Sequence, residues 1–422
     1  EDADEEASLI QSRTRKGLWS TLWTTFQKSA VGCFSFVETV GLFYGLKLFR
    51  NTRFPSPMEI AGGDRTTGNG SAGTGPTLRG LNRQGWTTSD QADLAESMLR
   101  NLGLVDGFAR LVVLCGHASQ TTNNPLAAGL DCGACGGHSG EPNARFAALL
   151  LNQHFIREML AEREIFIPED TVFMAGLHNT TTDAVTLFDG QQIPSTHRED
   201  LQELLDCTHI ASAKTRKERA PLVGSSAPAD VLRRAMDWSE VRPEWGLAGN
   251  AAFFVGPRWM TKEMNLDGRM FLHSYDHQTD PDASVLENIM TAPMVVAHWI
   301  NMQYYASTVD NRHFGSGDKT VHNVVGGFGV VSGNGGDLMT GLPTQSLHDG
   351  KEFRHSPMRL QVLIAASRRS IGGVIDKHSH IKDLVDNDWL HLTAIEDGQF
   401  YRYADQNWTV IEKDDRPAQL QS

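Results

Sequence analysis

Three cysteines and two histidines, Cys115, His117, Cys132, Cys135 and His138, fall in one glycine-rich stretch, LVVLCGHASQTTNNPLAAGLDCGACGGHSGEPNAR, residues 111–145. Thiolate sulfur and imidazole nitrogen are the ligands zinc prefers, and a catalytic zinc keeps one position exchangeable. Cys132-x-x-Cys135 opens like half of a zinc ribbon, but no second C-x-x-C or H-x-x-H closes one. A thioredoxin-like redox pair is expected to open a helix directly after a strand, which this spacing does not offer. On spacing alone three readings stay open: a metal site, a redox pair, or a glycine loop whose cysteines are small buried hydrophobes. The glycines and Pro142 also resemble a phosphate cradle at a helix start. No G-x-x-x-x-G-K-[ST] is present, however, and a helix N-terminus alone attracts an anion only modestly.

The elements around the stretch have to position it. ARLVVLCGH, 109–117, is an apolar β-branched run that reads as a strand buried on both faces. EPNARFAALLLNQHFIREMLAERE, 141–164, reads as a helix with Pro142 in its tolerated first turn, and DTVFMAGLHNTTTDAVTLFD, 170–189, resumes strand character. Strand, loop, helix, strand is the grammar of a parallel sheet, whose ligands bind beyond the carboxyl ends of strands. His117 and His178 both fall at such ends. Elsewhere the spacing predicts helices over 17–50, over 89–104 with Ser89 as cap, over 199–220 and over 291–311. Residues 51–80 read as a Gly/Pro/Ser/Thr loop, and the sequence from 237 onward reads as loop-rich, with later strands at RLQVLIAAS and WLHLTAIEDGQFYRY.

The 422 residues carry a formal charge of −13, which argues against non-specific nucleic-acid binding. Five cysteines, three of them in one loop, favour a metal or catalytic role in a reducing compartment over a disulfide scaffold. The chain opens on EDADEEAS, without an apolar signal core or an initiating methionine, as expected of a processed product or a segment of something longer. SAVGCFSFVETVGLFYGL, 29–46, is barely long enough for a membrane span and carries Glu38 near its middle, so a buried or partner-docking helix is the expectation.

The loop, together with FSFVETVGLFYG, DWSEVRPEWGLAGNAAFFVGPR, MTAPMVVAHWINMQYYASTVDN, FGSGDKTVHNVVGGFGVVSGNGGDLMTGLPTQSLH and HSPMRL, resembles the carboxyl-terminal half of the DabA family of inorganic-carbon transporter subunits, block by block and in the same order. The resemblance implies a β-carbonic-anhydrase-like α/β fold: a mostly parallel sheet flanked by helices, with long loop-rich additions. It implies a helical arm over 1–50, a linker over 51–88 and an α/β domain over 89–422. It also implies a Zn²⁺ site with Cys, Asp, His and Cys ligands, of which this chain supplies His117 and Cys132, with Cys135 as the alternative sulfur. The other two ligands belong to a C-x-D-x-R motif of the family's amino-terminal half, which this sequence lacks. A separate segment or polypeptide is therefore expected to bring them.

Zinc chemistry of that kind makes hydroxide available near neutral pH for attack on CO₂, giving bicarbonate. The resemblance places the Asp ligand and its Arg partner in the other half, so no catalytic base is named in this chain. Residues expected to support the ligands are Asp131, Asn123, Asn124 and Arg145, each weighed against ordinary turn or ion-pair duty. The family context implies a peripheral subunit on the cytoplasmic face of the membrane, working with an ion-conducting membrane subunit of the DabB type. Two other classes remain beside it: a zinc hydrolase of unrelated substrate, and a non-catalytic scaffold half.

Overall fold

A computed structural model describes residues 2–29, 32–53, 76–122, 138–315, 323–325, 329–331 and 341–412. Two long helices, α1 (Asp2–Lys28) and α2 (Gly32–Arg53), open the chain; helix begins well before residue 17, where the sequence pattern placed it. Their aromatic side chains stack edge-on in a ladder running from Trp23 through Phe36 to Tyr44. Trp238 ties α2 to the following structure, its Nε1 donating to Thr52 Oγ1 at 2.9 Å. The linker expected over 51–88 lies largely outside the described residues, but the short helix α3 (Arg79–Arg83) falls within it.

Helix α4 (Thr88–Leu102) is capped by Thr87 and not by Ser89. Thr87 and Asp90 exchange hydrogen bonds: Asp90 N donates to Thr87 Oγ1 (3.2 Å) and Thr87 N to Asp90 Oδ2 (2.7 Å). This reciprocal pairing satisfies two otherwise orphaned donors and holds the Asp90 carboxyl below its usual range. Gly103 then ends the helix in the left-handed region (φ 66°), packed against the backbone of Ser274.

The first sheet follows. β1 (Leu111–Ala118) runs parallel to β2 (Val172–Asn179), and β3 (Val185–Leu187) adds antiparallel on the far side of β2. The helix expected over 141–164 is two, α5 (Glu141–Leu151) and α6 (His154–Ala161). They divide where the Asn152 side chain leaves the helix to pair with the backbone of Phe173. Along β1 and β2 the side chains alternate, and α5 covers the face bearing Val112, Leu114, Phe173, Ala175 and Leu177. Helices α4 and α6 complete that core with Leu99, Ile156 and Leu160, each fully buried. A buried leucine stabilises by about 1.5–3 kcal/mol relative to an exposed one.

Helices α7 (Arg198–Leu222) and α8 (Pro228–Met236) lead to a second sheet. Its central strands β4 (Ala252–Gly256), β5 (Met270–Ser274), β8 (Leu360–Ile364) and β9 (Leu390–Glu396) are parallel, in the order β5-β4-β8-β9. The antiparallel strands β10 (Gln399–Ala404) and β11 (Asn407–Val410) extend it beyond β9. Helices α9 (Ser284–Thr291), α10 (Pro293–Val309), α12 (Arg368–Lys377) and α13 (Ser379–Asp386) enclose its core around Val255, Leu286, Ile371 and Leu392. A short helix, α11 (Asn311–Phe314), and a small hairpin of β6 (Asn323–Val325) with β7 (Gly329–Val331) lie between β5 and β8. The expectation of a mostly parallel sheet is met in part: the fold is mixed α/β, and each of the two larger sheets joins a parallel set to antiparallel strands at one border, β3 in the first and β10–β11 in the second. β4 and β5 lie where the sequence read as loop. Ala252–Gly256 is only five residues long and flanked by turns, yet all five are buried.

Beside the second sheet, the ring of His355 packs on Tyr304 at 5.2 Å between centroids, and its Nδ1 accepts the Gly249 N–H at 3.0 Å. Burial, with the charge of Arg269 adding to it, pushes His355 down to about 4.

Two predictions follow from these packings. His355 is neutral in the fold and binds its proton more readily unfolded, so the stability it contributes is complete above about pH 6.5 and is lost as pH falls towards 4. Urea midpoints taken across that window should drop, and His355→Asn, which retains an acceptor near Nδ1, should flatten the drop. Separately, a Cβ on Gly116 would sit 2.7 Å from Gly140 O, whereas one on Gly373 meets nothing within 4 Å. Gly116→Ala should cost about 1–3 kcal/mol in chemical denaturation, and Gly373→Ala, inside α12, should gain about 0.5–1 kcal/mol.

Candidate metal centre at the carboxyl end of β1

His117 is the penultimate residue of β1 and faces away from α5, on the same side as Cys115. Its imidazole is exposed and makes no hydrogen bond or ion pair among the described residues. Its backbone is held firmly. Gly140 N donates to His117 O at 3.0 Å, and the two backbones approach so closely that a Cβ on either Gly116 or Gly140 would collide with the other strand of chain. Both glycines are thus needed for close approach of one backbone to another.

Behind Gly140 the start of α5 is locked in turn. Arg145 is buried and forks onto Asp189, with Nε to Oδ2 at 2.9 Å and Nη2 to Oδ1 at 2.8 Å. Its Nη1 donates to Glu141 Oε1 at 3.1 Å. Burial opposes the charge on Arg145, but the two carboxylates outweigh it and raise its affinity for the proton. The guanidinium is thereby committed to fixing the first turn of α5 on the sheet.

His178 lies beside His117 in register on β2, in a half-exposed position with its Nε2 3.8 Å from Asp183 Oδ1. The loop that follows, Asn179–Asp183, is clamped from all sides. Asn179 Oδ1 accepts from Thr181 N and Thr182 N, and its Nδ2 donates to Gln120 Oε1, which joins the exit of β2 to the exit of β1. Arg219, from α7, donates to Thr180 O (2.6 Å), Thr181 O (2.8 Å) and Asp183 Oδ1 (3.1 Å). Arg216 donates to Thr182 O at 2.6 Å. Glu244, paired with buried Arg242 at 2.6 Å, accepts from the hydroxyls of Thr180 and Thr181. Preorganisation of this density is what a ligand site built on strand ends requires. None of these clamping residues stood out in the sequence, because arginines 34 to 62 residues downstream give no local signal.

Cys115 lies two residues before His117 on β1, its Sγ 3.4 Å from where a Gly176 Cβ would stand. Burial pushes its thiol up, against an opposing contribution from the His178 N–H. His138 is exposed. Cys132, Cys135, Asp131, Asn123 and Asn124 lie outside the described residues. Among the described residues no group of three His, Cys, Asp or Glu converges as a metal cluster. The donor chemistry still fits zinc at one position: an accessible imidazole with no other partner, on a rigid strand end. A cleft of about 370 Å³ lined by Arg157, Asp189 and the amino-terminal half of β2 does not include His117. Arg157 there is already spent on backbone carbonyls, including Thr171 O at 2.8 Å.

A family profile described as probable inorganic carbon transporter subunit DabA matches residues 1–390. A relative from Rhodopirellula baltica, "Probable inorganic carbon transporter subunit DabA 1", is 53% identical over 418 residues, 97% of this chain and 45% of the relative. Proteins named "Probable inorganic carbon transporter subunit DabA" from Chloroflexus aurantiacus and Acidithiobacillus ferrooxidans are 49% and 48% identical, over 93% and 97% of this chain and 48% and 51% of their own lengths. The chain spans about half the length of the curated relatives it matches. No solved structure matches it.

Arg219→Ala leaves Asp183 enclosed without its cation and frees two carbonyls, and should destabilise the protein by about 3 kcal/mol. Hydrogen exchange at the amides of Thr181–Asp183 should accelerate more than exchange in β8, measured by NMR or mass spectrometry.

Proposed function

This chain belongs to the DabA family, and from that premise we propose that it supplies one half of a zinc centre for hydrating CO₂ to bicarbonate in an energy-coupled uptake system. The observation that carries the reading is His117: an exposed imidazole without a partner among the described residues, clamped through Gly116 and Gly140 at the carboxyl end of a parallel strand. His117 and Cys132 are the proposed ligands from this chain, with Cys135 as the alternative. A thiolate and a carboxylate from the remainder of the family-length protein complete the set. Zinc, when bound, supplies Lewis acidity that lets water act as a nucleophile near neutral pH.

The chain's own residues do the positioning. Gly140 orients the His117 backbone, Arg145 anchors the helix behind it through Glu141 and Asp189, and the Arg219 clamp keeps the neighbouring strand exit from collapsing into the site. Asp131, Asn123 and Asn124 are proposed to line the loop that carries Cys132. Placing the ligands at strand ends leaves them open to a small, uncharged substrate arriving from solvent.

The α1–α2 arm is proposed to dock an ion-conducting membrane subunit of the DabB type from the cytoplasmic side. Leu42 is 90% exposed and Phe34, Phe43 and Phe49 each more than 60%, large apolar side chains of the kind a partner surface covers. No helix among the described residues is long and apolar enough to cross a membrane.

In the assembled protein, this chain together with the remaining family-length portion, His117→Ala and Cys132→Ser should each lower bound zinc at least tenfold by elemental analysis and abolish CO₂ hydration. Cys135→Ser should retain both. Zinc retained in Cys132→Ser but lost in Cys135→Ser would transfer the ligand to the alternative sulfur. Zinc retained in His117→Ala would overturn the assignment, and zinc without CO₂ hydration in the unaltered assembly would point to another hydrolytic reaction.

A further inference from the structure

β1 has two edges, and they are treated differently. The inner edge pairs with β2: Val172 N donates to Arg110 O at 2.7 Å and Thr180 N to Ala118 O at 2.8 Å, which brackets the parallel ladder. Backbone groups alternate along a strand, so Val112, Leu114 and Gly116 face β2 while Leu111, Val113, Cys115 and His117 face outward. Of these outward residues only His117 is engaged, by Gly140 N. Among the described residues the outward N–H and C=O groups of Leu111, Val113 and Cys115 have no backbone partner.

The opposite border of the same sheet is closed. β3 pairs with Gly176–His178, and where β3 runs out the Asn152 carboxamide takes its place, donating to Phe173 O at 2.8 Å and accepting Phe173 N at 3.0 Å. β1 carries none of the usual guards of a free edge: LVVLCGHA holds no proline and no lysine, and its first four residues are apolar, with β-branched Val112 and Val113 among them.

We propose that the outer edge of β1 seats a parallel strand from the portion of the family-length protein that this chain does not cover. This rests on the reading that the remaining metal donors come from that portion. The occupant is argued from length and direction. The relatives hold about as much polypeptide again as the chain matches, 45–51% of their lengths being covered. A second copy of this chain is disfavoured by symmetry, because a two-fold edge pairing is antiparallel and would put the two His117 residues at opposite ends of the seam. A parallel strand instead ends at the same end as His117. Gly140 blocks the edge at that residue, so the incoming chain pairs along Leu111–Cys115 and must then turn away beside the imidazole. That is the position from which donors following the strand can reach a shared centre.

The test reads pairing and not metal, so it stands apart from the zinc assignment. This chain is co-expressed with the portion of the Rhodopirellula baltica relative that it does not match, and amide exchange is followed in chelator-containing buffer. In the chain alone, the Leu111, Val113 and Cys115 amides should exchange at least tenfold faster than those of Val112 and Leu114; assembly should slow the outward set to the inward rate. Val113→Pro removes an outward donor and keeps the ladder to β2, so the variant should fold with protected Val112 and Leu114 amides and bind the complementary portion at least tenfold more weakly. Val113→Thr should bind normally. Assembly that leaves the outward amides of the unaltered chain fast, or that Val113→Pro does not weaken, overturns the proposal. So do outward amides already slow in a dimer of the chain alone.

Discussion

The contact on which the candidate centre depends is between two glycines. Gly116, on β1, and Gly140, at the mouth of α5, meet so closely that neither tolerates a Cβ, and the hydrogen bond from Gly140 N to His117 O is made at that contact. Together with the ladder to β2, it fixes the backbone of His117. The long loop between them leaves β1 and must return to the same spot for α5 to start, and the Arg145–Glu141–Asp189 cluster keeps it there. A single added methyl group would separate strand from helix and move the imidazole with them.

A second constraint acts across the sheet. The exits of β1 and β2 are tied by Gln120 and Asn179, and the loop beyond β2 is held by Arg216, Arg219 and Glu244. Backbone carbonyls at a strand exit ordinarily turn to water. Here they are taken by guanidinium groups, so the exit is rigid without being filled by apolar side chains. The result is a firm floor beside His117, whose side chain is exposed.

The sequence made the local parts of this legible. The apolar β-branched run at 111–117, the helix after Pro142 and the placing of His117 and His178 at strand exits follow from short-range pattern, and the structure puts the two histidines side by side in register. What pattern could not reach was non-local. Asn152 reads as one more helical residue until its amide is seen completing a strand edge; Arg216 and Arg219 read as surface charges on a long helix; Ala252–Gly256 is too short and too turn-flanked to announce a central strand. The mixed strand order likewise came from pairings between elements far apart in the chain. The cysteines that motivated the metal reading fall outside the described residues, so that part rests on chemistry and on kinship.

X-ray absorption at the zinc edge of the assembled protein reaches the centre most directly. Coordination by about one imidazole nitrogen at ~2.0 Å and about two sulfurs at ~2.3 Å, with the imidazole signature lost in His117→Ala, is the predicted result. An all-oxygen or all-sulfur shell, or a spectrum indifferent to residue 117, would contradict it.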